Sequence, residues 1–216
     1  MSQPSRIVNT FMNLTSNNLI KHICVTSYET IIGFLIGTAL GIFIAIILWW
    51  NDFLAKVLEP YLVVLNSLPK VALGPVIIIW VGAGTKAIIV MAVAISLIVT
   101  ILENLNGFLK TDQELIKMAK TFNSSKLQIL FKIVIPSNIS TFINSLKVNI
   151  GLSLVGVISG EFLVSKAGLG YLIVYGGQVF KLDLVMTSVL ILGILAGIMY
   201  GTVLLLEKFI FKVKRT

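Results

Sequence analysis

The sequence has 216 residues, of which 57% are hydrophobic and 12% charged, with a formal net charge of +8. Charged residues make up about 25% of an ordinary soluble domain, so a soluble fold of this length has too little interior for these apolar side chains. The chain has one cysteine and one histidine, which excludes a disulfide framework within it and a cysteine-based metal cluster.

Apolar runs of about 20 residues are long enough to cross the hydrocarbon core of a bilayer as helices. Residues 1–30 are interrupted by polar residues and predict an amphipathic segment at the membrane surface. Residues 31–50 contain no charge and end in two tryptophans, as is typical at the membrane interface. Residues 61–81 resume the apolar pattern, and Pro69 and Pro75 predict a kinked or interrupted span.

Three further apolar runs follow, at residues 87–102, 139–160 and 184–206. The sequence therefore predicts an all-α membrane protein with a bundle of about five transmembrane helices within residues 31–206. A basic tail, residues 207–216, comes after the last span.

Lysine-rich segments predict the orientation of the spans, because basic residues near span ends are retained in the cytoplasm. The polar connection at residues 105–138 and the tail at residues 207–216 both contain several lysines, and we expect both in the cytoplasm. The glycine-rich residues 161–183 then face outside. Counting back through three spans places residues 1–30 outside as well, unless a further helix lies upstream of Met1.

Basic residues in a chain this apolar are typical of cytoplasmic loops and contacts with lipid head groups. We therefore expect membrane lipids as partners and no nucleic acid. Glycines at four-residue spacing predict close helix contacts, either inside the bundle or between subunits. They are Gly33, Gly37 and Gly41, then Gly156 and Gly160, then Gly193, Gly197 and Gly201.

Two charged residues lie at the ends of the fourth predicted span. Lys147 is compatible with snorkelling at the cytoplasmic interface or with a functional role. For Glu161 we consider an external gate, a contact that stabilises the fold, and simple solvation. The chain has no GxxxxGK[ST] sequence, so we expect no ATP site of the P-loop type in this chain. We also expect no catalytic residue, no metal and no cofactor bound by this chain.

The polar connection, residues 105–138, is amphipathic, which a simple connector need not be. Its apolar residues recur at helical spacing, and they include Leu115, Met118, Ala119 and Phe122. We expect two short helices joined near Asn123, because asparagine tolerates a left-handed turn, with Pro136 ending the second helix. Such an elbow can dock into a groove on another protein, and we call residues 105–138 the elbow.

From Ser27 to Leu206 the sequence resembles the inner-membrane permeases of binding-protein-dependent ABC importers. Their cytoplasmic loop reads E-A-A, three residues, G, nine residues, I, one residue, L-P. The matching residues here are Lys117, Met118, Ala119, Asn123, Ile133, Ile135 and Pro136. Lys117 and Met118 depart from the first two positions of this pattern, and Asn123 replaces the glycine.

Two more segments are similar to the branch of sulfonate, taurine and nitrate permeases. Its Pro-x-x-Ala-x-x-Pro stretch closing in Trp-x-Gly-x-Gly is matched by Pro69, Ala72, Pro75, Trp80, Gly82 and Gly84. Its later acid and Gly-Leu-Gly signature is matched by Glu161, Gly168, Leu169, Gly170 and Tyr171. Members usually have six spans and a longer N-terminus, although some have five.

The resemblance implies the permease fold of type I ABC importers, with a cytoplasmic coupling-helix loop and transport by alternating access. It implies that coupling to an ATPase uses Lys117, Met118, Ala119, Phe122, Asn123, Ile133 and Pro136. The translocation path or gate is assigned Pro69, Pro75, Glu161, Gly168 and Gly170.

The implied partners are two ATP-binding ATPase subunits, an external solute-binding protein and a second permease subunit, commonly identical to the first. ATP and Mg are held by the ATPase. The resemblance also implies that the solute is a small organic anion such as a sulfonate, or another small nutrient.

The alternative from a different class is a secondary transporter or channel subunit independent of ATP, which explains an interrupted helix but not the elbow. A membrane scaffold without transport activity is a third interpretation.

Overall fold

The computed structural model describes Thr10, Met12 and residues 19–214, with side chains as far as residue 212. Within this part of the chain every regular element is helical. The helices are α1 (Leu19–Trp50), α2 (Asp52–Ser67), α3 (Gly74–Val81), α4 (Thr85–Leu109), α5 (Gln113–Thr121), α6 (Lys126–Ile129), α7 (Ile135–Ser137), α8 (Ile139–Val164), α9 (Leu169–Gln178) and α10 (Leu182–Lys214). A 3₁₀ turn (Lys70–Leu73) precedes α3, and a π-helical turn (Leu130–Val134) separates α6 from α7.

Four of these helices, α1, α4, α8 and α10, are long and apolar enough to cross a bilayer. A fifth candidate span consists of α2, the 3₁₀ turn and α3, and it is bent by 85° at the break. We call residues 52–81 the bent pair. The predicted all-α bundle of about five spans is confirmed.

The first span begins earlier than the sequence predicts. Helix α1 starts at Leu19, so residues 19–30 continue the span instead of forming a surface segment. The rest of the predicted segment, apart from Thr10 and Met12, lies outside the described residues. Two polar residues of this part of the span are buried inside the bundle: Thr26 and Thr30 are inaccessible, and the Thr30 hydroxyl donates to the carbonyl of Thr26.

The last span also extends past its predicted end, because α10 continues to Lys214. Most of the predicted basic tail is therefore the final part of this helix. Lys147 of α8 forms an ion pair with Glu207 of α10, with 2.8 Å between the ammonium nitrogen and a carboxylate oxygen. Both side chains are partly exposed, which agrees with snorkelling to an interface and adds a partner that the sequence did not reveal.

The break in the bent pair has a local cause. Asn51 caps α2 by accepting hydrogen bonds from the amides of Phe53 and Leu54, and α2 ends before Pro69. Leu68 is extended, with φ −66° and ψ 140°, as is usual before a proline. Pro75 lies in the first turn of α3, where its missing N–H costs nothing. Pro69 therefore interrupts the span, whereas Pro75 begins its second half.

Helices α1, α4 and α8 pack closely through their glycines. A Cβ atom on Gly33 or Gly41 of α1 would lie 2.6 Å from Ala92 or 2.5 Å from Thr100 of α4. A Cβ on Gly156 of α8 would lie 2.5 Å from the Cα of Ala92. These glycines pack inside the bundle. Apart from the neighbouring backbone of α10 itself, no atom of the described chain lies within 4 Å of such a Cβ on Gly193, Gly197 or Gly201. For these three glycines, contact with another subunit remains the open alternative.

Buried polar side chains also join α4 to α8. The Asn104 amide donates to the Ser145 hydroxyl over 3.1 Å, and the Asn149 amide donates to the Thr100 hydroxyl. All four residues are buried. Hydrogen bonds between helices stabilise membrane bundles by about 0.6 kcal/mol each on average, so they supplement the close backbone packing.

We expect Gly156→Ala to destabilise the bundle, because the new methyl group collides with the backbone of Ala92. Overpacking of this kind costs about 1–3 kcal/mol. Gly197→Ala is the matched control, since its methyl group meets open space within the chain. Thermal unfolding of both variants in detergent measures the difference, and equal melting temperatures would contradict the packing described here.

Candidate functional site

The elbow consists of two helical arms joined by a left-handed turn. Asp112 caps α5, and Ser125 with Gln128 forms a capping box at the start of α6. Asn123 has φ +54°, as the sequence predicted. The amides of Ser124 and Asn123 donate to the carbonyls of Ala119 and Lys120 over 3.1 and 3.0 Å. This pair of bonds is a Schellman motif, which ends a helix at a left-handed residue.

Apolar side chains cover two opposite sides of the elbow. Ile116, Ala119 and Ile129 are buried against α1 and α4, in one cluster with Trp49 and Phe108. From residue 113 onward, the exposed large apolar residues of the elbow are Leu115, Met118, Phe122, Leu127 and Phe131. We call these five residues the outer patch.

The sequence predicted that Ala119 lies on the same outward surface as Met118 and Phe122. The structure contradicts this prediction, because Ala119 faces the bundle. Only 8% of Ala119 is exposed, against 53% of Met118 and 77% of Phe122. Ala119 is three residues from Ile116 and shares its side of α5. Lys117 is exposed, and Ile133 is half-buried.

Pro136 does not end the second arm of the elbow, in contrast to the prediction. It lies in the first turn of α7, after the π-helical turn. A proline is accommodated there because its missing backbone N–H would have no partner within that helix. The amide of Asn138 still donates to the carbonyl of Val134, over 3.2 Å. The second arm thus continues into α8 almost without a break, and the elbow is joined directly to a spanning helix.

The second group of predicted site residues meets at the other end of α8. Glu161 is 1% exposed. One of its carboxylate oxygens accepts from the Thr26 hydroxyl and the other from the amide of Gly170, each over 2.6 Å. The amide of Leu169 donates to Thr26 Oγ1 over 2.8 Å. The amide of Gly168 donates to Nδ1 of His22 over 2.9 Å.

These three side chains cap the first amides of α9, and we call His22, Thr26 and Glu161 the latch. Gly168 has φ +120°, and a Cβ there would collide with the Glu161 carboxylate; glycine is required on both counts. Solvation of Glu161 is excluded by its burial. The latch joins α1, α8 and α9, which is the fold-stabilising contact that we considered from the sequence.

Sequence reasoning missed Thr26 and Glu29, because both fall in the segment predicted to lie at the surface. Glu29 is 1% exposed and lies beside Glu161 and Thr85. Neither of its carboxylate oxygens has a hydrogen-bond partner of good geometry among the described residues. The signal that could have found both residues is their spacing from His22, which places all of them within two turns of one helix.

The elbow and the latch lie at opposite ends of α8, which has 26 residues and is therefore about 39 Å long. The structure brings together Glu161, Gly168 and Gly170, but Pro69 belongs to the bent pair. A Cβ on Gly74, next to Pro75, would lie 2.5 Å from Leu163 of α8. The second half of the bent pair therefore approaches the latch end of the bundle.

Comparison with known proteins agrees with this architecture. Residues 37–212 match the family described as "Binding-protein-dependent transport system inner membrane component". A probable ABC transporter permease protein of Haemophilus influenzae is 32% identical over 194 residues, covering 89% of this chain and 79% of the relative. A putative aliphatic sulfonates transport permease protein, SsuC of Bacillus subtilis, is 25% identical over 210 residues, covering 97% and 76%.

The fold is similar to that of a chain in inward-facing structures of the MetNI methionine ABC transporter. The TM-score is 0.76 at 18% sequence identity, and the match covers 86% of this chain and 92% of the other. This likeness confirms the predicted fold class.

We expect Glu161→Leu to lower the free energy of unfolding by about 1–3 kcal/mol, because the amide of Gly170 and the Thr26 hydroxyl lose a buried partner. Glu161→Gln keeps one acceptor oxygen and costs less. Lys166→Ala, at an exposed neighbouring position, is the control. Reversible denaturant unfolding in detergent measures all three variants. A Leu variant as stable as the control would show that the latch does not hold the bundle together.

At the elbow, Asn123→Gly is expected to be tolerated, because glycine adopts a positive φ freely. Asn123→Val places a β-branched residue in a left-handed conformation, which costs about 1–2 kcal/mol. Limited proteolysis between residues 113 and 137 reports opening of the elbow. Equal cleavage rates for the two variants would contradict a rigid left-handed turn.

Proposed function

This chain belongs to the family of binding-protein-dependent transport system inner membrane components and is a multi-pass permease subunit of an ABC importer. We propose that ATP hydrolysed on a separate subunit drives a solute through this permease. The observation that supports the ATP-driven mechanism most directly is the outer patch of the elbow. Phe122 is 77% exposed and Phe131 64% exposed, next to lysines that keep the elbow out of the hydrocarbon core. Exposed apolar patches of this kind are typical of docking surfaces.

The partner on the outer patch is an ABC ATPase, which holds ATP and Mg. Two copies of the ATPase contact two copies of the permease, one elbow each. The elbow inserts its apolar side chains into a groove of the ATPase, as amphipathic helices do in other complexes. Of the coupling residues inferred from the sequence, Lys117, Met118 and Phe122 contact the ATPase. Ala119, Asn123, Ile133 and Pro136 shape the elbow.

The second permease subunit is an identical chain that covers the bent pair. Ala55 is the buried residue of α2 and Gly74 that of α3 within this chain, and Leu54 and Leu62 are partly buried. Most other side chains of the two helices therefore need other neighbours. Two bent pairs facing each other enclose the translocation path, and Pro69 and Pro75 define the change of direction within it. Alternating access follows when the bent pairs move relative to the rigid helices.

The elbow end lies in the cytoplasm and the latch end outside, which follows from the lysines of the elbow. An external solute-binding protein delivers the solute at the latch end, where Glu161, Gly168 and Gly170 hold the outer helix α9 in place as part of the gate. The solute is a small organic anion such as a sulfonate, in keeping with the relative named for aliphatic sulfonates, or another small nutrient.

The test of this function is reconstitution of the chain with an ATPase and a solute-binding protein encoded beside it. We expect uptake of the solute to require both partners and ATP. Uptake driven by an ion gradient without the ATPase would instead establish a secondary transporter. An ATPase that fails to copurify with the unaltered chain would also contradict the proposal.

We expect Phe122→Asp to abolish copurification of the ATPase while the protein still inserts and folds, because a charge on the docking surface is left desolvated in the contact. Phe180→Asp is the control, since Phe180 is 90% exposed at the latch end and should not affect ATPase binding. Ala119→Asp, in contrast, places a charge in the internal cluster and lowers the melting temperature. Normal ATPase binding by the Phe122 variant would place the contact elsewhere.

A further inference from the structure

We propose that Lys126 is a positioning residue that joins the elbow to the junction between the first span and the bent pair, so that displacement of the elbow moves the bent pair. The inference rests on the proposed function, since it concerns how a push on the outer patch reaches the translocation path. It assigns a role to a lysine outside the coupling motif.

Lys126 contacts the very end of α1. Its ammonium donates to the backbone carbonyl of Trp50 over 2.6 Å, across 76 residues of sequence. The same ammonium lies 5.9 Å from the ring centre of Trp49 and 5.8 Å from that of Trp50. The carbonyls in the last turn of a helix have no partner within it, and a positive charge there is stabilised by the helix dipole. Cation–π attraction to both rings adds to this contact.

The point of contact is also where the bent pair begins. A single residue, Asn51, separates α1 from α2. Its amide donates to the carbonyl of Leu48, its carbonyl accepts from the amide of Ala55, and its side chain caps α2. Because its backbone is bonded to both helices and its side chain to α2, this connection holds the start of α2 to the end of α1. A movement of Trp50 is therefore passed to α2.

At the other side of the contact, Lys126 is the first residue of α6 and follows the left-handed turn. The capping box of Ser125 and Gln128 fixes the backbone next to it, so Lys126 moves together with the outer patch. Met118 and Phe122 lie just before this turn, and Leu127 just after it. A push on the outer patch thus acts on the residue that holds Trp50.

Packing between the elbow and the end of α1 is incomplete. A cavity of about 150 Å³ lies between them, and Lys126 forms part of its wall. The other lining residues include Trp49, Asp52, Phe108, Ile116 and Lys120. Because apolar contact is interrupted here, the elbow can shift slightly relative to α1. The hydrogen bond from Lys126 to Trp50 lies beside this cavity and limits that shift, so a larger displacement of the elbow also moves Trp50.

The test uses the full chain in complex with its ATPase in lipid nanodiscs, comparing Lys126→Ala with Lys126→Arg and with the control Lys132→Ala on the same arm. Cys24 is replaced by serine, and Phe53→Cys near the start of α2, where Phe53 is 75% exposed, provides a labelling site. We expect the rate of maleimide labelling at position 53 to change when ATP and vanadate are added. This change disappears in the Lys126→Ala complex, although the ATPase still copurifies and hydrolyses ATP.

In proteoliposomes, solute uptake per ATP hydrolysed falls about tenfold in the Lys126→Ala complex, because ATP hydrolysis then no longer moves the bent pair. Lys126→Arg retains uptake, because arginine donates to a carbonyl and stacks on tryptophan. Lys132→Ala behaves as the unaltered protein.

Three outcomes would overturn the inference: an unchanged labelling response in Lys126→Ala, failure of arginine to rescue, or loss of ATPase binding with a lowered melting temperature, which would indicate a structural role alone. Failure of the proposed function is recognised separately, because then the ATPase does not copurify even with the unaltered chain.

Discussion

A helix that begins within an apolar bundle leaves its first amides without partners, and each unsatisfied group in such surroundings costs several kcal/mol. In this protein the helix is α9, and its amides are satisfied by His22, Thr26 and Glu161. These side chains come from α1 and α8. The need to pair the first amides of α9 therefore constrains the relative position of these two long helices. The glycine at residue 168 follows from the same contact, because the Glu161 carboxylate occupies the space of a side chain.

The rigid part of the molecule follows from this arrangement. Helices α1, α4 and α8 approach closely through Gly33, Gly41 and Gly156, and buried hydrogen bonds tie α4 to α8. Helix α8 connects the latch directly to the elbow, because the π-helical turn and α7 continue the helix past Pro136. The latch and the helices α1, α4 and α8 therefore form one stiff body, to which the elbow is joined through its second arm.

The bent pair is different, because it buries little of its surface against this stiff body. Its attachments include the capped junction at Asn51 with the nearby Ala55, which is buried in the cluster of Trp49 and Phe108, and the contact of Gly74 with Leu163 and Met91. An element held at its two ends, with an 85° bend between them, is suited to hinge motion between two states. The division into a stiff body and a hinged pair is the physical basis of the alternating access that we propose.

The sequence alone determined the class of protein, the approximate spans, the break at Pro69 and the left-handed turn at Asn123, because each depends on local composition or on the backbone preference of one residue. It could not show that Thr26 and Glu29 are buried, since a polar residue satisfied inside a bundle has the same sequence as one in water. Nor could it separate Ala119 from Met118, because both sides of α5 are apolar. The contacts of Glu161 with Thr26, Lys147 with Glu207 and Lys126 with Trp50 join residues far apart in the chain. Only the tertiary structure decided these contacts, because they depend on the relative positions of whole helices, which close backbone packing sets.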